Sequence, residues 1–241
     1  MNRRGGLWVE AVGRAEDCPP LRSEDAAIVI DVLRATSAMA AALACGVRRI
    51  RPVADVEAAR RAAAEAPTRL LVGERANERP PGFHRGNSPL EWTPADRDRE
   101  AVWTTTNGTR ALERANGAGW LAAAALVNRA RAARWAEALP AARLVLVPAG
   151  EKGQPSEEDW LCAGAVAAAL AAPRLGREAR KAKAAFEAAG ADLVGALRNT
   201  RHGQALARLG MEADVLWSAR LDVIAVVPVR ESREPLWLRP G

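Results

Sequence analysis

Short apolar runs of strand length alternate with alanine-rich stretches of helical period along most of the chain, and that alternation predicts an α/β fold. Residues 7–12 (LWVEAV) predict an opening strand, followed by a proline-containing loop. Residues 27–33 (AIVIDVL) predict a strand that runs straight into a helix ending near Gly46, and residues 48–53 a short third strand. Residues 55–67 (DVEAARRAAAEAP) carry the period of an amphipathic helix, with Asp55 as its N-cap and Pro67 beyond its end. Further strands are predicted at residues 69–73, 101–106, 119–126 and 143–149, with helices around Leu112 and over residues 130–139 between them. The last third reads as helical until residues 222–229 (DVIAVVPV), a closing strand. The pattern predicts one domain over residues 1–241, a three-layer α/β/α unit around a mostly parallel or mixed sheet. The recurrence of the strand-to-helix unit leaves two similar lobes open.

One stretch breaks the rhythm. Residues 74–94 show no helical or alternating period and are punctuated by Pro80, Pro81, Gly82, Gly86 and Pro89. Unstructured loops of this length inside compact domains are commonly functional or disordered.

The junctions between strand and helix carry the candidate chemistry. In AIVIDVLRATSAMAAAL (residues 27–43) and AVWTTTNGTRAL (residues 101–112), an apolar run ends in hydroxyls and an arginine. Unpaired backbone N–H groups, a helix N-terminus and a guanidinium could converge there on an anion. Arg34, Thr36 and Ser37 form the first set; Thr106, Asn107, Gly108, Thr109 and Arg110 the second, with Thr109 as the expected N-cap. Asp31 stands at a strand C-terminus, where ligands bind in open α/β sheets, and is a candidate metal ligand or acid–base group. The plain alternative is that Asp31 or Thr36 caps the helix. The spacing of a P-loop is absent. A third junction, residues 144–170, replaces the hydroxyls with Glu157, Glu158 and Asp159. Carboxylates beside anion binders suggest a metal, while Ser156 and Asp159 also satisfy a capping box. Cys162 follows one turn after Asp159 on the same helix face.

Charge and cysteine content narrow the classes. The net charge of +6 is dominated by arginine, since the lysines are Lys152, Lys181 and Lys183 alone. Arginine's planar fork suits phosphate or sulfonate. Residues 177–185 (REARKAKAA) are the best argument for nucleic-acid binding, but they lack aromatics and read better as a solvated helix face, so no nucleic-acid partner is expected. Cys18, Cys45 and Cys162 are odd in number and without metal spacing, which argues for free thiols. Cys45 and Arg51 have the spacing of a cysteine-phosphatase loop, but Cys45 ends a helix rather than opening one. No run of 18 apolar residues and no apolar N-terminal stretch occur, so the expectation is a cytoplasmic protein without membrane association.

Taken together, VIDVLRATS (residues 29–37), GER (73–75), GF-x-x-GNSP (82–89), TTTNGTRA (104–111), AG-x-x-G-x-x-S-x-x-D-x-x-CAG (149–164) and the Arg201–His202 pair resemble the 2-phosphosulfolactate phosphatases. The resemblance spans almost the whole chain. It implies Mg2+-dependent hydrolysis of 2-phospho-3-sulfolactate to 3-sulfolactate and phosphate, in coenzyme M biosynthesis or with sulfolactate as an end product. It implies Asp31, Asp159 and His202 as catalytic residues and Asp31, Glu74 and Asp159 as metal ligands. Substrate contacts are implied for Arg34, Thr36, Ser37, Arg75, Asn87, Ser88, Thr106, Asn107, Gly108, Thr109, Arg110 and Cys162. Two other readings stand beside it: a phosphatase for another small phosphorylated carboxylate or sulfonate, and a noncatalytic anion-binding protein. Oligomeric state is open, a homodimer included. The chain departs from the family at His84, where Asp usually follows Gly-Phe, and at Ala76 and Asn77, where Gly is common.

Overall fold

A computed structural model describes residues 6–241. In chain order the elements are β1 (Trp8–Ala11), β2 (Asp25–Ile30), α1 (Ala35–Ala44), β3 (Arg49–Pro52), α2 (Val56–Ala64), β4 (Leu70–Gly73), β5 (Glu100–Thr104) and α3 (Gly108–Ala115). They continue with β6 (Trp120–Ala124), α4 (Arg129–Ala138), β7 (Arg143–Pro148), α5 (Glu157–Ala169), β8 (Arg174–Leu175), α6 (Arg177–Ala189), α7 (Leu193–Asn199), α8 (Arg201–Arg208), α9 (Glu212–Ser218), β9 (Pro228–Arg233) and β10 (Leu236–Pro240). None of the described helices is long and apolar enough to cross a membrane.

All ten described strands join one mixed sheet, in the order β4-β5-β3-β10-β9-β6-β2-β7-β1-β8. Two parallel blocks make it up. β4, β5 and β3 form one, and β6, β2, β7, β1 and β8 the other; the antiparallel β9–β10 hairpin joins them. β10 pairs antiparallel with β3 and β9 antiparallel with β6, so the blocks run in opposite senses. The order is therefore a palindrome about the hairpin, in which β4, β5 and β3 occupy the places of β7, β2 and β6.

The burial pattern explains the layers. β2 and β7 are buried on both faces, as parallel strands covered by helices must be. Ile28, Ile30, Leu144 and Leu146 pack under α4 to α9, while Val29, Val147, Trp103, Leu70 and Ile50 share a second cluster with Met39 of α1 and Leu112 of α3. Thus α1 and α3 draw both blocks into one core. Asp55 caps α2 as expected, its side chain accepting from Ala58 N.

The C-terminus corrects the sequence reading. Residues 222–227 form no strand; they run as coil, and the hairpin β9–β10 follows instead. The apolar run VIAVV suggested a strand, whereas the hairpin is half polar because part of it lies at the surface. α3 also begins at Gly108 rather than after Thr109.

At the N-terminal end of β5 a buried carboxylate gathers three guanidinium groups. Burial pushes Glu100 up, but hydrogen bonds from Arg69, Arg48 and Arg49 outweigh it and bring its pKa from 4.5 to about 2. A depressed folded-state pKa contributes stability that is complete above the unfolded value and lost as pH falls through the folded one. Thermal scans from pH 5 down to 2 should therefore show Glu100→Gln losing less of its Tm over that interval than the unmodified chain. Parallel decline of the two would contradict the assignment.

Candidate active site

A cavity of about 350 Å3 opens where the loops after β2, β4, β5 and β7 meet, lined by residues including Asp31, Arg34, Glu74, Arg75, Asn77, Asn87, Thr106, Asn107, Glu151, Lys152 and His202. The palindromic sheet accounts for its shape. β4 and β7 each end in a two-residue turn, closed by the bridges Arg75–Glu78 and Glu151–Gln154. The central φ values match: 53° and 69° at Ala76 and Asn77, 50° and 75° at Lys152 and Gly153. Positive φ at both central positions defines a type I′ turn, a backbone that glycine adopts without steric cost. Asn tolerates this region well, and Ala76 bears a steric cost that glycine avoids.

Buried carboxylates brace both turns. Glu74 accepts from Asn77 N in its own turn (3.0 Å) and from Thr106 N after β5 (2.7 Å). Asp159 accepts from Gly150 N (3.2 Å) and from Val32 N after β2 (2.8 Å). The strand-to-helix loops correspond as well: Thr36 Oγ1 closes on the backbone N–H and C=O of Asp31, as Thr109 Oγ1 does on those of Thr105.

These bonds decide where each expected residue stands. Asp31, Arg34, Glu74, Arg75, Asn87, Thr106, Asn107 and His202 line the cavity. Gly108 stands beside it, and a Cβ there would lie 2.6 Å from Asp31 Oδ2, so only glycine lets α3 start against that carboxylate. Thr36, Ser37 and Thr109 are buried with their hydroxyls spent on carbonyls of the preceding loop, which leaves none as a donor to a ligand. Ser88 donates to Asp214 (2.6 Å). Arg110 is exposed outside the cavity, and Cys162 is sealed in the apolar core with its thiol pushed well up by burial. Asp159 lies behind the cavity wall. His84, the family departure, is exposed and accepts from Leu71 N through Nδ1 (2.9 Å). A carboxylate can accept the same bond, so this exchange leaves the cavity untouched.

Sequence reasoning missed Asn77, Glu151 and Lys152 in the cavity wall and Asp214 behind it. Arg34 is held by Asp214 (2.7 Å) and by the carbonyl of Asn77 (2.9 Å). His202 bridges Asn77 Oδ1 (3.1 Å) and Glu158 (3.4 Å). The paired turn signals before Glu78 and Gln154 were the available clue to the turns; nothing local marks Asp214.

The electrostatics are those of crowded acids. Burial raises the Asp31 pKa to about 6, and the charges of Glu74 and Glu158 add to it, against a bond from Ala35 N and the charge of His202. Burial, then the charges of Asp31 and Glu158, raise Asp159 well above the usual range. Burial opposes ionisation of His202, but the hydrogen bond and charge of Glu158, with the charges of Asp31 and Glu151, raise its pKa overall. The cavity thus sets an imidazolium-favouring histidine and two arginines against carboxylates that resist sharing a site.

Asp31 Oδ1 accepts from Ala35 N (3.1 Å), and its Oδ2 has no protein donor among the described residues. No three His, Cys, Asp or Glu side chains among the described residues group so as to hold a metal by themselves. Asp31 and Glu74 nevertheless supply hard oxygen donors that line the cavity. That donor set fits Mg2+, which takes one or two carboxylates and keeps waters and substrate oxygens as its other ligands.

The family described as 2-phosphosulpholactate phosphatase matches residues 14–233. A probable 2-phosphosulfolactate phosphatase of Symbiobacterium thermophilum is 40% identical over 213 residues, covering 84% of this chain and 90% of the relative. One from Synechococcus sp. (strain JA-3-3Ab) is 39% identical over 221 residues, covering 88% and 91%. One from Parasynechococcus marenigrum is 40% identical over 225 residues, covering 90% and 93%.

Proposed function

Because the chain belongs to the 2-phosphosulfolactate phosphatase family, a family of phosphoric monoester hydrolases, we propose that it hydrolyses 2-phospho-3-sulfolactate to sulfolactate and phosphate with Mg2+. The observation that carries this reading is the cavity in which Asp31 and Glu74 face Arg34, Arg75 and His202. Asp31 and Glu74 would hold the cation, which when bound neutralises charge on the phosphoryl oxygens. Arg34 is fixed by Asp214 and the Asn77 carbonyl, and Arg75 by the Glu74 carbonyl (2.6 Å) and Thr104 Oγ1 (2.8 Å). Both are therefore preorganised as donors to the transferring phosphoryl group. Asn87 accepts from the Trp103 indole through Oδ1 (3.2 Å), and its amide N–H groups remain for the ligand.

His202 is the group suited to give a proton to the leaving alkoxide oxygen. It lines the cavity, Glu158 holds its Nδ1, and the surrounding carboxylates favour its protonated form, so that Nε2 would exchange its bond to Asn77 Oδ1 (3.1 Å) for the leaving oxygen. Asp159, Thr36 and Ser37 act one step back, by fixing the loop that presents Asp31 and Arg34.

The test is release of inorganic phosphate from 2-phospho-3-sulfolactate. Release is expected with Mg2+, to disappear with chelator and to return when Mg2+ is restored. Undiminished release after chelation would remove the metal from this reading, and absence of release under every condition would remove the substrate.

A further inference from the structure

The two turns that face each other across the cavity are matched in backbone and mismatched in charge. Lys152 and Ala76 occupy the same turn position, with φ of 50° and 53°. At this turn position a cation therefore stands on the β7 side and none on the β4 side.

Lys152 differs from the other permanent cations of the wall. Arg34 and Arg75 are tied to protein acceptors, whereas the Lys152 ammonium has no ion-pair or hydrogen-bond partner among the described residues. The adjacent Glu151 does not neutralise it, because its carboxylate is paired with Arg201 (2.8 Å). Yet the backbone beneath Lys152 is fixed: Lys152 N donates to Asn107 Oδ1 (3.3 Å), Glu151 and Gln154 bond each other, and Arg14 holds the Gly153 carbonyl. The result is an unspent charge on a firm mount.

Depth orients it. Asp31, Glu74, Arg34 and Asn87 are buried and form the floor, while Lys152 is exposed at the rim. On the proposed reading the phosphoryl group belongs on the floor, beside the carboxylates and arginines. The substrate's carboxylate is attached to the same carbon as the phosphate, and its sulfonate is one carbon further out. We infer that Lys152 binds the sulfonate at the cavity rim and sets the preference for a sulfonated over an unsulfonated phosphoester. This rests on the proposed function. A rotatable ammonium with three donors suits a three-oxygen sulfonate that varies in approach.

Lys152→Asn tests it without disturbing the turn, because Asn followed by Gly153 is the residue pair that type I′ turns favour. Steady-state rates on 2-phospho-3-sulfolactate and on 2-phospholactate, which lacks the sulfonate, should show the ratio of the two kcat/KM values falling roughly ten- to a hundredfold. That is the size of one lost charge-assisted hydrogen bond. The loss should appear in KM for the sulfonated substrate, and Lys152→Arg should restore most of the ratio. A ratio unchanged by Lys152→Asn, whether both rates fall together or neither does, overturns the inference while leaving the proposed function standing. If the unmodified chain turns over neither substrate, the proposed function fails. Calorimetry of sulfolactate against lactate then decides the inference separately: Lys152→Asn weakening sulfolactate alone supports it, and equal effects on both overturn it.

Discussion

Asp31→Asn should cost the protein its turnover and leave the fold as stable as before, or more so. Asp31 is a buried cavity carboxylate with an oxygen free of protein donors among the described residues, so on the proposed function replacing it removes a cation ligand and the charge facing the phosphoryl group. Loss of one electrostatic stabiliser of a transition state lowers kcat by roughly 10²–10³-fold. Stability should move the other way. The Asp31 carboxyl is buried and stands near Glu74 and Glu158, which is why its pKa rises to about 6. A raised folded-state pKa means that ionising Asp31 disfavours the folded chain as pH climbs from 3.8 through about 6, so at neutral pH the metal-free protein carries the full cost. Asparagine keeps the acceptor for Ala35 N and removes the charge. In metal-free buffer near pH 7.5 the variant should match or exceed the unmodified Tm, while in buffer with Mg2+ its phosphate release collapses. Retained turnover, or a lower Tm, would contradict the role given to Asp31.

What could be read from the chain follows the range of the interactions involved. The α/β alternation, the cap at Asp55 and the delivery of Asp31 and Glu74 to strand ends all depend on residues within a few positions of one another, and each was legible. The hydroxyl clusters misled for the same reason. Thr36, Ser37 and Thr109 do lie at helix starts, but the nearest acceptors are carbonyls four or five residues back, and the hydroxyls turn there rather than outward. Ser156 and Asp159 read as a local capping box, and Ser156 does accept from Asp159 N. The Asp159 carboxylate instead reaches Val32, 127 residues away, a contact that no local pattern encodes. Recurrence of the strand-to-helix unit was visible, whereas its palindromic arrangement was not, because the hairpin that sets it comes from the last residues of the chain. The pairing of the two turns across the cavity follows from that arrangement, which is why Asn77, Glu151 and Lys152 went unassigned.

The longest of these links also predicts the largest loss of stability. Arg34 and Asp214 form an ion pair of 2.7 Å across 180 residues, both side chains nearly fully buried, with Ser88 completing the Asp214 carboxylate. It is the contact that ties α9 and the 74–94 loop to the start of α1. Asp214→Ala leaves a guanidinium buried without its counter-ion, a change that typically costs about 3–5 kcal/mol. For a chain of this length that corresponds to a Tm lower by roughly 10 °C. Replacing both partners separates structure from chemistry. Arg34→Met with Asp214→Leu removes the charges together, and apolar pairs of similar volume are commonly close to neutral in such positions. The double variant should therefore recover most of the lost stability and none of the turnover, since Arg34 is a wall of the cavity as well as a strut. If it recovered turnover along with Tm, Arg34 would be structural only, and the phosphoryl group would have to be held by Arg75 and the loop after β5.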